Sequence, residues 1–264
     1  MPETFIIAEA GLAHNGLFEK AMELAVAARD AGANAVKYQT WFHDRWPDLE
    51  GFRFRKHDWY RLFDFCNSIG IKWMSTPFDF EAIEFLDVLG MDVWKIPSGM
   101  VTNKEYLEKV ASIQPDRIIL STGMATYAEE GKALDIIAPH VINIDVLYCV
   151  TAYPAPYDEI ILDLLQDYDG ISDHSAGIEI PIASVALGAK TVEKHMHLAG
   201  CAGCPDHACS LTPDEFNKMV CAIRNVEKAL NATGTEKPTK SELKVRDTIR
   251  ERMGCFEQNE NATQ

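Results

Sequence analysis

The sequence repeats one unit, a short apolar run followed by a segment with helical periodicity. Eight β-like runs follow one another, at residues 4–10, 35–40, 72–78, 93–98, 117–123, 144–150, 170–175 and 191–196. Helical patterns alternate with them, at residues 18–31, 57–69, 80–89, 104–112, 126–138, 157–166, 178–188 and 213–230. Strict alternation of this kind builds a parallel sheet with helical crossovers.

The apolar density and the number of these runs decide between the parallel α/β folds. Most of the runs are nearly continuous in apolar residues, as in strands that are covered on both faces. Eight units in about 230 residues suit a closed barrel better than an open doubly wound sheet. Neither a GxGxxG nor a P-loop sequence occurs, which argues against an open nucleotide-binding sheet. The sequence therefore predicts an α/β fold, a (β/α)8 TIM barrel, over residues 1–230.

The composition changes after residue 230. The segment "GTEKPTKSELKVRDTIRERMG" predicts a linker and one exposed helix, and "CFEQNENATQ" predicts a polar tail. We therefore expect residues 231–264 to form a linker, a short helix and a polar C-terminal tail rather than a second domain.

Charge and hydropathy limit the partners of the chain. A net charge of −15 argues against nucleic acid, because binding phosphate backbones requires a basic surface. No run approaches the roughly 18 apolar residues of a membrane span, and the N-terminus shows no signal-like segment. Seven cysteines, an odd number, indicate reduced thiols. We expect a cytoplasmic protein that binds a small molecule and neither nucleic acid nor membrane.

Polar side chains collect at the carboxyl ends of the predicted strands, the face on which barrel enzymes carry their active sites. The set comprises Glu9, Lys37, Thr76, Lys95, Ser98, Ser121, Tyr153, Ser172, His174, Glu193 and His195. A lysine within an apolar strand is costly if it is unpaired. Lys37 and Lys95 could therefore form buried ion pairs with Glu9 or Glu193. Alternatively, with the neighbouring hydroxyl groups, they could bind a compact anion such as phosphate or carboxylate.

Two histidines lie on adjacent predicted strands at equivalent depth. A single strand histidine is more often a hydrogen-bonded core or rim residue than a metal ligand. His174 and His195 together, with Asp206 shortly after, favour a divalent ion such as Mn²⁺ or Zn²⁺. Such an ion could polarise a substrate carbonyl.

The segment "CAGCPDHAC" contains Cys201, Cys204 and Cys209. With His197 or His207 these thiols could form a structural zinc site. Only one CxxC is present, so we favour a short loop whose thiols bind no metal.

Eight ordered segments resemble the N-acetylneuraminate (sialic acid) synthase family, which includes legionaminate and pseudaminate synthases. These segments are "IAEAGLAHNG", "VKYQT", "STPFD", "KIPSG-x-x-TN", "LSTGMA", "YCVTAYPAP", "GISDHSAG" and "EKHMHL…PDHACSL". The resemblance covers about residues 4–230, nearly the whole folded region.

The resemblance implies a reaction and a set of roles. Phosphoenolpyruvate condenses with an N-acylated aldose, typically N-acetylmannosamine, to give a nonulosonate-type 2-keto-3-deoxy sugar acid and phosphate. The implied cofactor is Mn²⁺, with Mg²⁺, Co²⁺ or Zn²⁺ as alternatives. By the same resemblance Lys37, Lys95, Ser98, Ser121 and Ser172 hold phosphoenolpyruvate with Thr76 nearby, His174 and His195 bind the metal, and Glu9, Tyr153 and Asp206 face the sugar or assist proton transfer. From its position Glu9 is also the candidate base for water.

The sequence departs from the family pattern in the part of the site that would bind the aldose, which we call the acceptor half. Met100 stands where members usually carry an acidic residue that contacts the sugar, and Thr151 stands where some carry asparagine. We expect the barrel domain without the family's C-terminal antifreeze-like domain, a possible homodimer, and an acceptor that is either N-acetylmannosamine-like or a variant aldehyde. Two other functions remain open, namely a metal-dependent lyase or hydrolase on the same barrel and a non-catalytic phosphoenolpyruvate-binding relative.

Overall fold

Parallel strands and helices alternate along most of the chain. The computed structural model describes residues 2–201, 203–234 and 237–254. The strands are β1 (Phe5–Gly11), β2 (Ala35–Thr40), β3 (Lys72–Pro77), β4 (Val93–Ile96), β5 (Arg117–Ser121), β6 (Asn143–Cys149), β7 (Gly170–Asp173) and β8 (Thr191–His195). The α-helices are α1 (Phe18–Asp30), α2 (Lys56–Ile69), α3 (Phe80–Leu89), α4 (Lys104–Ser112), α5 (Tyr127–Ile137), α6 (Glu179–Ala186), α7 (Pro213–Leu230) and α8 (Lys240–Arg252).

The strands form one parallel sheet in the order β3-β2-β1-β8-β7-β6-β5-β4. The two ends of this order, β3 and β4, lie side by side, so the sheet curls into a nearly closed barrel. The helices that connect successive strands pack around its outside. This architecture confirms the predicted (β/α)8 TIM barrel.

A small apolar layer fills the barrel interior below the carboxyl ends of the strands. It consists of Ile7, Ala35, Met74, Val93, Ile119 and Leu147, one residue from each of six strands. Alternate residues of a strand point to the same face, so the residues two positions further along also point inward. Those residues are Glu9, Lys37, Thr76, Lys95, Ser121 and Cys149. The strand period therefore places a polar layer directly above an apolar floor.

Local capping interactions determine where the crossover helices begin. Asp79 precedes α3, and its Oδ1 accepts a hydrogen bond from the Ala82 backbone N–H at 2.6 Å. Its Oδ2 accepts from the backbone N–H groups of Phe42 and His43 at 2.6 and 2.9 Å. A single carboxylate thus begins a helix and holds the loop after β2 against it.

The α-helix predicted at residues 157–166 is wrong. The chain instead forms two 3₁₀ turns, Tyr157–Glu159 and Leu162–Asp167, joined through the extended residues Ile160 and Ile161. The Ile161 backbone N–H donates to the Tyr148 hydroxyl at 3.0 Å, where an α-helix would need a carbonyl four residues earlier. A tertiary hydrogen bond therefore replaces the helical one.

The chain divides into two compact units between Leu230 and Asn231, the position of the predicted domain boundary. In the second unit α8 begins at a capping box formed by Thr239 and Glu242, and none of its residues is buried. The tail predicted at 255–264 lies outside the described residues. Among the described helices, none has the length and apolarity to cross a membrane.

Candidate active site

The carboxyl ends of the strands surround a pocket of about 200 Å³. It is lined by Glu9, Lys37, Gln39, Thr76, Phe78, Lys95, Pro97, Ser98, Gly99, Ser121, Cys149, Thr151, Tyr153, Ser172, His174, Glu193, His195 and Asp206. Every site residue predicted from the sequence is in this set. The structure therefore brings the predicted residues together, although their roles stay predictions.

Two buried lysines share two buried glutamates at the pocket floor. The Lys37 ammonium lies 2.5 Å from Glu9 Oε2 and 3.6 Å from Glu193 Oε2. The Lys95 ammonium lies 3.6 Å from Glu193 Oε1. Each of these four side chains is at most 5% exposed. The buried ion pairs considered from the sequence are thus present, with Glu193 between the two lysines.

Hydroxyl groups complete this layer. Lys37 Nζ donates to Thr76 Oγ1 at 3.1 Å and Lys95 Nζ donates to Ser121 Oγ at 2.7 Å. Ser172 Oγ donates to Glu193 Oε1 at 3.0 Å. Two ammonium groups and three hydroxyl groups therefore face one small volume, as expected of a site for a compact oxyanion.

The four charged groups respond differently to burial. Burial lowers the pKa of Lys95. Burial would also lower the pKa of Lys37, but Glu193 and Glu9 together raise it above its usual value. Burial would raise the pKa of Glu193, but the two lysines lower it below its usual value. Glu193 is therefore the ionised partner of both lysines.

Glu9 behaves differently from Glu193. Burial raises its pKa to about 7, because Lys37 offsets only part of the desolvation and the charge of Glu193 adds to it. Gln39 Nε2 donates to Glu9 Oε1 at 3.1 Å. A carboxyl group with this pKa can take up or release a proton near neutral pH.

The two histidines lie on the same side of the pocket, with 5.3 Å between their ring centroids. His174 Nδ1 lies 3.0 Å from the Val150 carbonyl oxygen. Because that oxygen can only accept, the neutral His174 ring carries its proton on Nδ1 and keeps a lone pair on Nε2. Burial would lower the pKa of His174, but its contacts with Cys149 and the Val150 carbonyl oxygen raise it above its usual value. Burial holds the pKa of His195 well below its usual value, so this imidazole is neutral. In their neutral forms both rings are suitable metal ligands.

A third protein ligand is less evident. Asp206 Oδ2 lies 3.9 Å from His195 Nδ1. Within the described ranges, no three His, Cys, Asp or Glu side chains are close enough to hold a metal by themselves. A divalent ion at His174 and His195 would fit only if substrate or solvent supplied the remaining oxygen ligands.

The turn after β4 forms one wall of the pocket. Ser98 Oγ accepts a hydrogen bond from the Gly123 backbone N–H at 3.0 Å, which joins this turn to the one after β5. Gly99 lines the pocket, whereas Met100 packs against the hydrophobic core. The Met100 sulfur lies 3.8 Å from Asn103 Nδ2. At this position the wall is therefore formed by backbone and Gly99.

Sequence reasoning missed part of the pocket. It placed Glu193 at a strand end but considered it only as an ion-pair partner, it gave Gln39 at the end of β2 no role, and it did not identify Cys149. The strand period gives a usable signal for two of them, because Glu193 lies two residues before His195 and Cys149 two residues after an inner apolar residue. Cys149 Sγ lies 3.8 Å from His174 Nδ1.

The cysteine loop after β8 was predicted to bind no metal. Cys201, Cys204 and Cys209 are all buried, and Cys204 Sγ lies 3.9 Å from His207 Nδ1. The His197 and His207 rings contact each other at a tilt of 45°, with 4.3 Å between centroids, and His197 does not line the pocket. His195 and His197 would share a face in a continuous strand, but β8 ends at His195, and only His195 lines the pocket.

Comparisons with known proteins identify the family. Residues 46–235 match the NeuB family. The N,N'-diacetyllegionaminic acid synthase of Legionella pneumophila is 36% identical, over 93% of this chain and 78% of that protein. The human N-acetylneuraminate-9-phosphate synthase is 31% identical, over 95% of this chain and 76% of that protein. The crystal structure of a sialic acid synthetase from Leptospira borgpetersenii, in complex with citrate, superposes with a TM-score of 0.84. It is 30% identical, over 97% of this chain and 94% of that one. The chain therefore belongs to the NeuB family and is a sialic acid synthase-like enzyme.

Proposed function

We propose that this enzyme condenses phosphoenolpyruvate with an acylamino aldose to give a nonulosonate-type 2-keto-3-deoxy sugar acid and phosphate. The observation that carries the proposal is the polar layer of the barrel. Lys37 and Lys95 lie beside the hydroxyl groups of Thr76, Ser121 and Ser172 in one buried volume. The names of the relatives, an N,N'-diacetyllegionaminic acid synthase and an N-acetylneuraminate-9-phosphate synthase, support the class of product.

Lys37 and Lys95 would neutralise the phosphate and carboxylate groups of phosphoenolpyruvate. Their ammonium groups are held by charge-assisted contacts with Glu9 and Glu193, so they need little reorganisation when the anion arrives. Ser98, Ser121 and Ser172 would donate hydrogen bonds to its oxygen atoms. The same groups would stabilise the phosphate as its C–O bond breaks.

The charge balance of the pocket favours a divalent cation as cofactor. Two ammonium groups and three carboxyl groups, those of Glu9, Glu193 and Asp206, line the pocket. Adding an anion with both phosphate and carboxylate groups leaves an excess of negative charge, which is unfavourable in a buried site. His174 and His195 would hold the ion, and its oxygen ligands would come from substrate or solvent. Mn²⁺ is the ion that the family resemblance implies, with Mg²⁺, Co²⁺ or Zn²⁺ as alternatives, and a mixed set of imidazole and oxygen ligands is compatible with such divalent ions. When bound, it would polarise the aldehyde carbonyl as a Lewis acid.

Glu9 would act as the base in the hydration step. C3 of phosphoenolpyruvate forms a bond to the aldehyde carbon, water adds at C2, and phosphate leaves. The pKa of Glu9, raised by burial to about 7, allows it to accept the proton of that water near neutral pH. Asp206 and Tyr153 line the pocket near the histidines and would contact the sugar.

The acceptor half favours an aldose other than N-acetylmannosamine. Phe78, Pro97, Gly99 and Thr151 line the pocket beside the predicted anion site. The Met100 thioether packs away from it and offers no carboxylate to a sugar hydroxyl. A diacylamino aldose, the type of acceptor suggested by the legionaminic acid synthases, has fewer hydroxyl groups to satisfy and fits this wall better.

The proposal is tested by measuring phosphate release from phosphoenolpyruvate with a panel of aldoses. The panel contains N-acetylmannosamine, a diacetamido trideoxy aldose and unacylated mannose, each with Mn²⁺ or with EDTA. We expect release with at least one acylamino aldose, dependence on the metal, and a product whose mass is that of the condensed sugar acid. His174→Ala should abolish the metal-dependent rate, whereas the exposed His140→Ala should not change it.

Two results would overturn the proposal. Tight binding of phosphoenolpyruvate without turnover on any aldose would favour a non-catalytic binding protein. Cleavage of an ester or amide, with no phosphate released, would favour a lyase or hydrolase.

A further inference from the structure

A buried ion pair lies just outside the barrel wall, next to both candidate metal ligands. The Lys194 ammonium lies 2.6 Å from Asp173 Oδ2, and the two side chains are 0% and 1% exposed. Lys194 and Asp173 are partners in the parallel register of β8 and β7. Neither residue lines the pocket, so neither contacts the substrates there.

Each residue of this pair immediately precedes one of the candidate metal ligands. Asp173 precedes His174, and Lys194 precedes His195. Because side chains alternate along a strand, both histidines point into the pocket while the ion pair points toward the helices. The pair therefore joins the two backbone segments that carry the imidazoles.

Lys194 also holds the chain on both sides of His174. Its ammonium group donates to the Ser175 carbonyl oxygen at 2.5 Å in addition to Asp173. Asp173 Oδ1 accepts from the Ser175 backbone N–H at 3.0 Å, and Asp173 Oδ2 accepts from the Ser175 hydroxyl at 2.9 Å. The residues before and after His174 are thus connected to one lysine of the neighbouring strand.

Stability alone gives no reason for charged residues at these positions. Desolvating two charges offsets most of their attraction, and apolar residues of similar volume are often equally stabilising in place of a buried ion pair. Such a pair can instead serve to fix the positions of neighbouring residues, and metal sites require ligands held within about 0.5 Å of their productive positions. Mutations in residues that orient ligands weaken metal binding by about 10–100-fold.

We propose that Lys194 and Asp173 are positioning residues that set the separation of His174 and His195 for a divalent ion. The inference rests on the proposed function only in taking these histidines as the metal ligands. It adds a pair of residues that would control metal affinity without contacting metal or substrate.

The test uses Mn²⁺ alone, titrated into the full-length protein, and the visible absorption spectrum of the Co²⁺ form. The double variant Lys194→Met/Asp173→Asn removes both charges, so neither is left buried and unpaired. We expect its Mn²⁺ dissociation constant to rise at least about tenfold and its Co²⁺ spectrum to change. Phosphoenolpyruvate binding without metal, which depends on Lys37 and Lys95, should change less than about twofold on the same reasoning.

Two further variants keep the test decisive if the double variant unfolds. Ser175→Ala removes one hydroxyl and loosens Asp173, and we expect it to weaken Mn²⁺ binding by about threefold, short of the full loss. Asp145→Asn breaks a comparable cross-strand contact with Arg117 near the amino ends of β5 and β6. It should lower the melting temperature and leave Mn²⁺ affinity unchanged.

The two hypotheses fail in different ways. If the wild-type protein binds no Mn²⁺ at its histidines, the proposed metal site is wrong. If the wild type binds Mn²⁺ and the folded double variant binds it within twofold of the wild type, the metal site stands and the positioning role is wrong. If the double variant unfolds, binding by Ser175→Ala within twofold of the wild type has the same meaning. Equal weakening by Asp145→Asn would also overturn it, because the effect would then be general loosening of the barrel.

Discussion

Sharing of charges, at the level of single residues, explains how two lysines can lie inside a barrel. Glu193 lies 3.6 Å from both ammonium groups and remains ionised, so it compensates each of them in part. Glu9 is the least favoured charge of the group, because burial raises its pKa, and Lys37, which Glu9 shares with Glu193, offsets only part of that effect. Glu9 and Glu193 are both buried glutamates, so their different neighbouring charges decide which of them can exchange a proton near neutral pH.

The raised pKa of Glu9 predicts a specific dependence of activity on pH. If Glu9 accepts the proton of the attacking water, kcat/KM should rise with pH through about 7, as the carboxyl group ionises. Glu9→Gln should lower kcat by about 10²–10⁴-fold and remove that rise. The measurement is a pH–rate profile of both proteins, with Gln39→Ala as a control that removes only a hydrogen bond to Glu9. A profile of Glu9→Gln that still rises through 7 would assign the titration to another group.

The same group makes a prediction for stability. The folded protein binds the Glu9 proton more tightly than the unfolded chain does, since the pKa rises from 4.5 to about 7 on folding. Its contribution to stability is therefore fully present below pH 4.5 and is lost as the pH rises toward 7. Glu9→Gln, which stays neutral, should gain stability relative to the wild type across this window, by up to about 3 kcal/mol. Urea unfolding at pH 5 and pH 8 measures the difference, and an equal difference at both values would contradict it.

At the scale of secondary structure elements, the alternation of side chains along the strands places the residues of the site. In six strands an inner apolar residue is followed two positions later by a pocket residue, as in Ile7 and Glu9 or Val93 and Lys95. The apolar layer closes the barrel below, and the polar layer faces the mouth. A strand that slipped by one residue would exchange both layers with the helix-facing side.

The turn after β5 allows a test of how closely two strand ends are packed. A Cβ atom on Gly123 would lie 2.0 Å from Thr151 Oγ1 and 3.0 Å from Ser98 Oγ. Gly123→Ala should therefore push Thr151 and Ser98 apart, weaken phosphoenolpyruvate binding by about tenfold, and destabilise the fold by about 1–3 kcal/mol. Thr151→Ala removes the closer atom, so the double variant should recover part of both losses. If the effects of Gly123→Ala and Thr151→Ala on binding and stability simply add in the double variant, residues 123 and 151 are not in contact.

The elements that could be predicted from the sequence are those whose signal is local. The strand and helix bounds differ by a few residues, and the eleven predicted site residues share one pocket because barrel strands end on one face. The 157–166 segment could not be predicted, because its conformation depends on a hydrogen bond from Ile161 to the distant Tyr148. The orientation of Met100 likewise depends on core packing that no local pattern records.

At the scale of the whole molecule, the net charge of the protein has the same sign as the proposed substrate, phosphoenolpyruvate, and repels it. Residues 231–264 contain six basic and six acidic residues, so the net charge of −15 belongs to the barrel. The lysines that would bind the anion are buried at the pocket floor, 3% exposed each. An approaching anion therefore meets a repulsive exterior before it reaches an attractive interior.

This arrangement predicts that moderate salt accelerates the capture of phosphoenolpyruvate. Salt screens charges that are separated by more than a Debye length of about 10 Å at 0.1 M, whereas contacts within the buried pocket are screened much less. Raising KCl from about 0.05 to about 0.2 M should therefore increase kcat/KM for phosphoenolpyruvate by about two- to threefold. The KM of the uncharged aldose should stay constant, which controls for general effects of salt on the enzyme. A fall in kcat/KM with salt would mean that the field of Lys37 and Lys95 extends beyond the mouth and attracts the anion from a distance. In that case the acidic surface would have to lie away from the pocket face, and neutralising acidic residues around the mouth would leave the rate unchanged.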